Sequence, residues 1–255
     1  MLWWKLLLTT MGLLLVLVAA RLGGRRMAGV LAALPTITAP TLAWTAWEQG
    51  TGFAVQAAIG SVASCAALAM FALAYVHASR RLAALHAMAC GLAAAALVMW
   101  PAQLASQTLP AALSLALGFT LLAWARLPTP GTAAIGASRS GRTSLLALCA
   151  VAGLTVLATT LGPALGPFAT GLLASLPLVS GPLAMAEHAV SGHQASTEFL
   201  RGYVRGLFGK AAFGALFALL APGAGVLLAL ALGALAACAP ELRRTTRRRL
   251  NSSSR

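Results

Sequence analysis

Lys210 is one of only two lysines in this 255-residue chain, and it stands in the middle of an apolar stretch running roughly from Ser196 to Leu220. A cation at the centre of a membrane helix costs at least about 2.5–3.5 kcal/mol on insertion scales, so it persists only with a partner. No carboxylate is expected at its depth. Glu48 falls at one edge of its own segment, and Glu187 and Glu198 fall at the opposite edge of theirs. The remaining partners are carbonyls released by a helix break, a water-filled cavity, or an anionic substrate. The alternative is a segment shifted by one turn, from which Lys210 snorkels to the interface.

Breaks of the required kind occur twice. The stretch Gly29-Val-Leu-Ala-Ala-Leu-Pro35-Thr-Ile-Thr-Ala-Pro40 returns as Gly171-Leu-Leu-Ala-Ser-Leu-Pro177-Leu-Val-Ser-Gly-Pro182, 142 positions later. The offset holds without a gap through Gly50/Gly192 and Gly60/Gly202. A proline inside a helix has no N–H and clashes with the carbonyl four residues back. Pro35, Pro40, Pro177 and Pro182 are therefore expected to free the carbonyls of Leu31, Thr36, Leu173 and Leu178. In a bilayer these must find a hydroxyl, a cavity or a ligand, and Thr36, Thr38 and Ser180 are close in sequence. One reading is a substrate site at mid-depth built by Pro35, Thr36, Thr38, Pro40, Pro177, Ser180, Pro182 and Lys210. The other is that the prolines only kink helices for packing.

A third group lies at one edge of the later segments. Glu198, Arg201 and Arg205 follow the i, i+3, i+7 spacing of a single helical face, and Glu187 and His188 end the helix before them. They read either as a cytoplasmic gate that draws anions, or as interfacial salt bridges fixing the hairpin. The corresponding positions of the first copy are Gln56, Ile59 and Ala63, so the two copies have diverged there.

Other chemistry has no support in the residues. His188 and His193 are five apart, and His77 and His86 are isolated. Cys65, Cys90, Cys149 and Cys238 lie in apolar stretches with no CxxC spacing and read as small core residues. There is no nucleophile elbow, phosphate loop or dinucleotide fingerprint. The expectation is a protein that is not an enzyme and holds no cofactor or metal.

The elements that must position these residues are membrane helices. The chain is 60% hydrophobic and 9% charged, contains no Asp, and has a mean hydropathy of +0.86. Soluble domains run at about 45–50% apolar. The length accommodates about nine spans of about 20 residues. They are expected near 2–20, 27–47, 51–76, 82–100, 111–126, 145–161, 165–189, 196–220 and 224–238. The net charge of +14 comes from arginines in short loops and in the tail after Pro240, without the interleaved aromatics of a nucleic-acid surface. Loops after the odd-numbered segments hold nearly every Arg, which puts the N-terminus outside and the C-terminus in the cytoplasm of a bacterial inner membrane.

The expected fold is an all-α polytopic membrane protein. Residues 1–100 form one unit of four helices and residues 143–239 a second. Between them, 101–142 hold a lone fifth helix and a cytoplasmic loop, and 240–255 form a disordered basic tail. One helix between two copies turns the second copy upside down, giving an inverted repeat, an arrangement many secondary transporters use.

Ala28-Gly29, Pro35-Thr36 and Glu48-Gln49-Gly50 resemble the pattern of the GlpM-type small bacterial membrane proteins. The resemblance covers the first unit and, more loosely, the second, where Val190 stands in place of the acidic residue. It implies a link to exopolysaccharide production, and a chain that is a fused pair of family-like units. Two functions follow. One is a transporter or permease for a small or lipid-linked, anionic solute. The other is a non-transporting accessory subunit of envelope or exopolysaccharide machinery, with a membrane-protein partner or a second copy of itself. The lipid bilayer is a partner in both, and nucleic acid in neither.

Overall fold

The computed structural model describes residues 24–35, 38–105, 107–129, 166–168, 177 and 180–253, with backbone alone for 105 and 240–253. The segments expected near 2–20 and 145–161, and most of the first half of the segment expected at 165–189, lie outside the described residues. Among the described residues the regular elements are all helices: α1 (24–33), α2 (Thr38–Gln49), α3 (Thr51–Ala78), α4 (Ala84–Ala105), α5 (Leu109–Arg126), α6 (Ser180–Ser191), α7 (His193–Ala224) and α8 (Val226–Ser253). Five stretches are long and apolar enough to cross a membrane: Gly24–Gln49, which joins α1 and α2, Thr51–Ala78, Ala84–Leu104, Leu109–Arg126 and His193–Ala224. A shorter apolar run, Val226–Ala239, follows them.

Helix α3 is the centre. It is apolar on every face, which is the pattern of a helix surrounded by other helices or lipid, and it is buried along most of its length. Its interior positions are mostly small: Ala54, Ala57, Ala58, Gly60, Ser61, Ala63, Ser64, Cys65, Ala66, Ala67 and Ala69. Small side chains let neighbouring backbones come close, which is how membrane helices gain packing when lipid is as apolar as they are. Helices α4, α5 and α7 all pack on α3, while α8 packs on α7 and α5 also reaches α7. Helix α7 runs antiparallel to α3. The two cross where Cys65 Sγ lies 3.9 Å from the Leu207 carbonyl, and a Cβ at Gly214 would meet Val62 and the Ala58 carbonyl.

Local detail recurs at the same spacing as the sequence. Helices α2 and α6 begin and end 142 residues apart, and α3 and α7, like α4 and α8, begin 142 apart. The turns before α3 and α7 are Gly50 at φ 87° and Gly192 at φ 81°, a backbone region in which an L side chain is strained. A Cβ at Gly91 would lie 2.8 Å from Phe71 Cδ2, and one at Gly233 2.9 Å from Phe213 Cδ2. Helix α2 touches α8, and α6 touches α4.

Three expected boundaries are corrected. Helix α4 does not stop near Trp100 but carries Pro101 inside it and runs to Ala105. Helix α7 is longer than expected at both ends and carries Pro222 in its last turn. The basic tail is not disordered: α8 continues to Ser253 and places Arg243, Arg244, Arg247, Arg248 and Arg249 on its backbone. Glu, Leu and Arg are good helix formers, and neither Gly nor Pro follows Pro240 to stop the helix.

Candidate functional site: a buried polar centre beside a broken helix

The first Pro pair does interrupt its span, but not in the way the sequence suggests. Helix α1 ends at residue 33 and α2 begins at Thr38. The Leu34 N–H lies 3.2 Å from both the Val30 and the Leu31 carbonyls. The helix tightens over its last turn, as helix ends commonly do, so the Leu31 carbonyl is taken and not free. Pro40 does not break anything. It is the third residue of α2, in the first turn, where an N–H has no partner within the helix. Pro182 occupies the same place in α6. The Ala39 N–H donates to the Pro35 carbonyl at 2.8 Å, and the Gly181 N–H donates to that of Pro177 at 2.9 Å. One proline of each pair therefore precedes a helix and the other opens it. Thr36, Leu173 and Leu178 lie outside the described residues. Thr38, Pro35, Pro177 and Ser180 are buried, and Pro40 and Pro182 are half-buried.

Helix α1 is held along α7 by contact of backbone on backbone. A Cβ at Gly202 would strike the Arg26 carbonyl, one at Gly29 the Phe199 carbonyl and the Tyr203 nitrogen, and one at Gly206 the Val30 carbonyl and Ala33. Gly202 and Gly206 on one helix, and Gly29 and Ala33 on the other, are spaced by four, the small-residue spacing of tightly packed membrane helices. The helices are parallel, and each turn of α1 matches a turn of α7. The next turn of α7 after Gly206 carries Lys210, which is thus level with the end of α1 at Leu34 and Pro35.

Lys210 is only 6% exposed, so it is inside the protein and does not snorkel. It takes part in no ion pair among the described residues. Its electrostatic neighbour is Cys65. The C-terminal end of α1 carries partial negative charge from its last carbonyls, which suits an ammonium at this level. Nearby hydroxyls and thiols are partly occupied: Ser64 Oγ donates to the Ser61 carbonyl at 2.6 Å, and Cys65 Sγ reaches the same carbonyl at 3.7 Å. Tyr203 is buried one face-repeat before Lys210 on α7 and lies near both Cys65 and Ser180. Ser180 Oγ, at the first residue of α6, is buried and makes no hydrogen bond; the Tyr203 phenol is its polar neighbour.

The charged residues gather at the other end of α1. Arg25 Nε donates to Glu187 Oε2 at 2.7 Å, and Arg25 also donates to Ser191 Oγ at 2.9 Å. Both members of the ion pair are largely buried, at 7% and 13% exposure. Tyr75 OH lies 3.4 Å from His188 Nδ1. Arg201 donates to the carbonyl of Leu127, the residue that ends α5, and stacks over the Trp124 ring at 4.9 Å. This corrects the expected hairpin clamp. Glu187 pairs with α1, 162 residues away, and Arg201 closes α5. Glu198 and Arg205 are half-buried on the same helix.

The structure thus brings Thr38, Pro35, Ser180 and Lys210 into the interior and places Glu187, His188 and Arg201 at one end. Sequence reasoning missed Arg25, Cys65 and Tyr203. Arg25 looked like one of several loop arginines. The only signal for Tyr203 was its i, i+7 spacing to Lys210. Cys65 is buried as expected, but Cys90 is exposed and Cys238 half-buried, and Cys149 is outside the described residues. No group of three metal-ligating side chains occurs among the described residues.

Helices of this length and apolarity, with a core of small residues, define an integral membrane protein of the α-helical class. Compared with known proteins, the chain matches no family model, no curated protein and no solved structure.

Proposed function

We propose that this is an inner-membrane transporter-like protein, built as an inverted repeat of two four-helix units around a lone fifth helix, that carries a small or lipid-linked solute past Lys210. The observation that carries the reading is Cys65 Sγ beside the Leu207 carbonyl. These residues are separated by the repeat offset of 142. In two copies related by a two-fold axis in the membrane plane, equivalent residues meet only on that axis. The matching bounds of α2 and α6 and the antiparallel run of α3 and α7 support the same relation. Transporters of this architecture place their site where the broken helices of the two halves face each other, and Lys210 follows by one turn the glycine that meets the last turn of α1.

The two halves are not equivalent in charge. The position matching Lys210 is Leu68, that matching Glu187 is Thr45, and that matching Arg25 is Pro167. The Arg25–Glu187 ion pair therefore has no equivalent at the matching positions of the other copy, which fits a protein whose two faces open differently. Uptake into liposomes by the purified protein tests the role of Lys210. Lys210→Met is expected to melt no lower than wild type, because a buried charge is removed, and to lose uptake by at least about tenfold, the factor for 1.4 kcal/mol. Normal uptake by this variant would remove Lys210 from the path.

In this reading the Arg25 end faces the cytoplasm, since positive residues collect on that side. Reporter fusions at residues 105 and 135, on either side of α5, are expected to report opposite compartments, with 135 inside. The same compartment for both would eliminate the inverted arrangement.

A further inference from the structure

We propose that the polar centre is a seat for a singly charged oxyanion, in which Lys210 neutralises the charge and the hydroxyls of Ser180 and Tyr203 hold the oxygens. This rests on the reading above of Lys210 as part of the solute path, and it names the solute's chemistry.

Three observations lead to it. The first is the charge balance. Arg25 and Lys210 are the charged side chains buried among the described residues, and Arg25 is balanced by Glu187. An ammonium at Lys210 is left with no counter-ion among the described residues. A monoanion neutralises it, whereas a dianion would leave a net charge where solvation is poor, and a cation would be repelled.

The second is Ser180. Its Oγ is 1% exposed and unbonded. A buried hydroxyl without a partner has lost its hydration with nothing in exchange, and a ligand that bonds to it makes good that loss. The backbone at this end of α6 offers little in its place. Pro182 has no N–H, and that of Gly181 already goes to Pro177. The donors here are side chains.

The third is spacing. Tyr203 and Lys210 are seven residues apart on α7, on one face and about 10 Å apart along the axis. Cys65 at the crossing with α3 is the electrostatic neighbour of both. A ligand held by both side chains needs more than one acceptor atom. A carboxylate or a phosphodiester has several, and a halide has one.

A free carboxylate and a lipid phosphodiester present the same chemistry, so the experiment separates them. The full chain in phosphatidylcholine nanodiscs is melted with sodium butyrate or with sodium chloride at equal ionic strength, and again in nanodiscs containing phosphatidylglycerol. The midpoint is expected to rise with butyrate or with phosphatidylglycerol, but not with chloride. Lys210→Met is expected to abolish the rise. Ser180→Ala and Tyr203→Phe are each expected to weaken the apparent affinity by about ten- to a hundredfold, the range for one hydrogen bond to a charged group, while folding as wild type does. Should Lys210→Met fail to fold, Ser180→Ala decides alone. The proposal is overturned if neither oxyanion exceeds chloride, or if Ser180→Ala binds as wild type does. Binding without liposome uptake would keep the seat and reject the transport reading. Uptake indifferent to Ser180→Ala and Tyr203→Phe would do the reverse.

Discussion

Gly202→Leu is expected to leave little folded protein in detergent. A Cβ at this position falls on the Arg26 carbonyl, which is backbone and cannot rotate aside. Overpacking a core costs about 1–3 kcal/mol when side chains can shift, and more when they cannot. Here the relief is for α1 to leave α7. That separates Gly29 from Phe199 and Gly206 from Val30, and it pulls Arg25 away from Glu187. Gly29→Leu is expected to act in the same way from the opposite helix. Gly118, in α5, is the control: nothing lies within 4 Å of its Cβ position, so Gly118→Ala is expected to be neutral or to stabilise by up to about 1 kcal/mol through helix propensity. Size-exclusion profiles and melting curves of the detergent-solubilised variants measure both effects. A monodisperse Gly202→Leu protein with wild-type melting would mean that α1 does not lie on α7.

Removing one member of the Arg25–Glu187 pair is expected to be nearly as damaging. Breaking a buried ion pair from one side costs about 3–5 kcal/mol, because the other charge is left without its partner. Arg25→Met leaves the Glu187 carboxylate at 13% exposure, and Glu187→Leu leaves the guanidinium with Ser191 but no carboxylate. The double variant Arg25→Met/Glu187→Leu is expected to recover most of the loss, since a packed apolar pair is often as stable as the ion pair it replaces. A double-mutant cycle on unfolding in mixed detergent gives the coupling directly. Coupling below about 0.5 kcal/mol, the level of independent sites, would show that the contact holds nothing together. In the transport reading the same pair latches one end, so the double variant should also change the sidedness of labelling at that end.

Much of this organisation could be read from residue order. Pro35 and Pro40 indicated an interrupted span, and the interruption is there, because a ring in place of an N–H acts locally whatever surrounds it. Gly50 and Gly192 marked equivalent turns for a similar reason: the backbone angle is a property of one residue. Lys210 marked the interior, since a lone lysine in an apolar run has few places to go. The partners were a different matter. Leu31 lost its freed carbonyl to a tightened last turn, a local adjustment that no pattern records. Pro40 turned out to open a helix, because its place in the turn depends on where α1 stops. The basic tail was misread because its arginines suggested solvation, while their helix propensity acted on the backbone.

Composition, the 142-residue echo and the positions of the prolines were enough to require an all-helical membrane protein with an interrupted span, since each depends on local covalent geometry or on transfer from water to lipid. Tertiary packing alone settled that Arg25 and not a neighbour in the hairpin meets Glu187, that Cys65 is the electrostatic neighbour of both Lys210 and Tyr203, and that Ser180 is sealed in without a hydrogen bond. Those outcomes depend on how closely two backbones approach at Gly29, Gly202 and Gly206, and a distance between helices is a property of the pair, written in neither one.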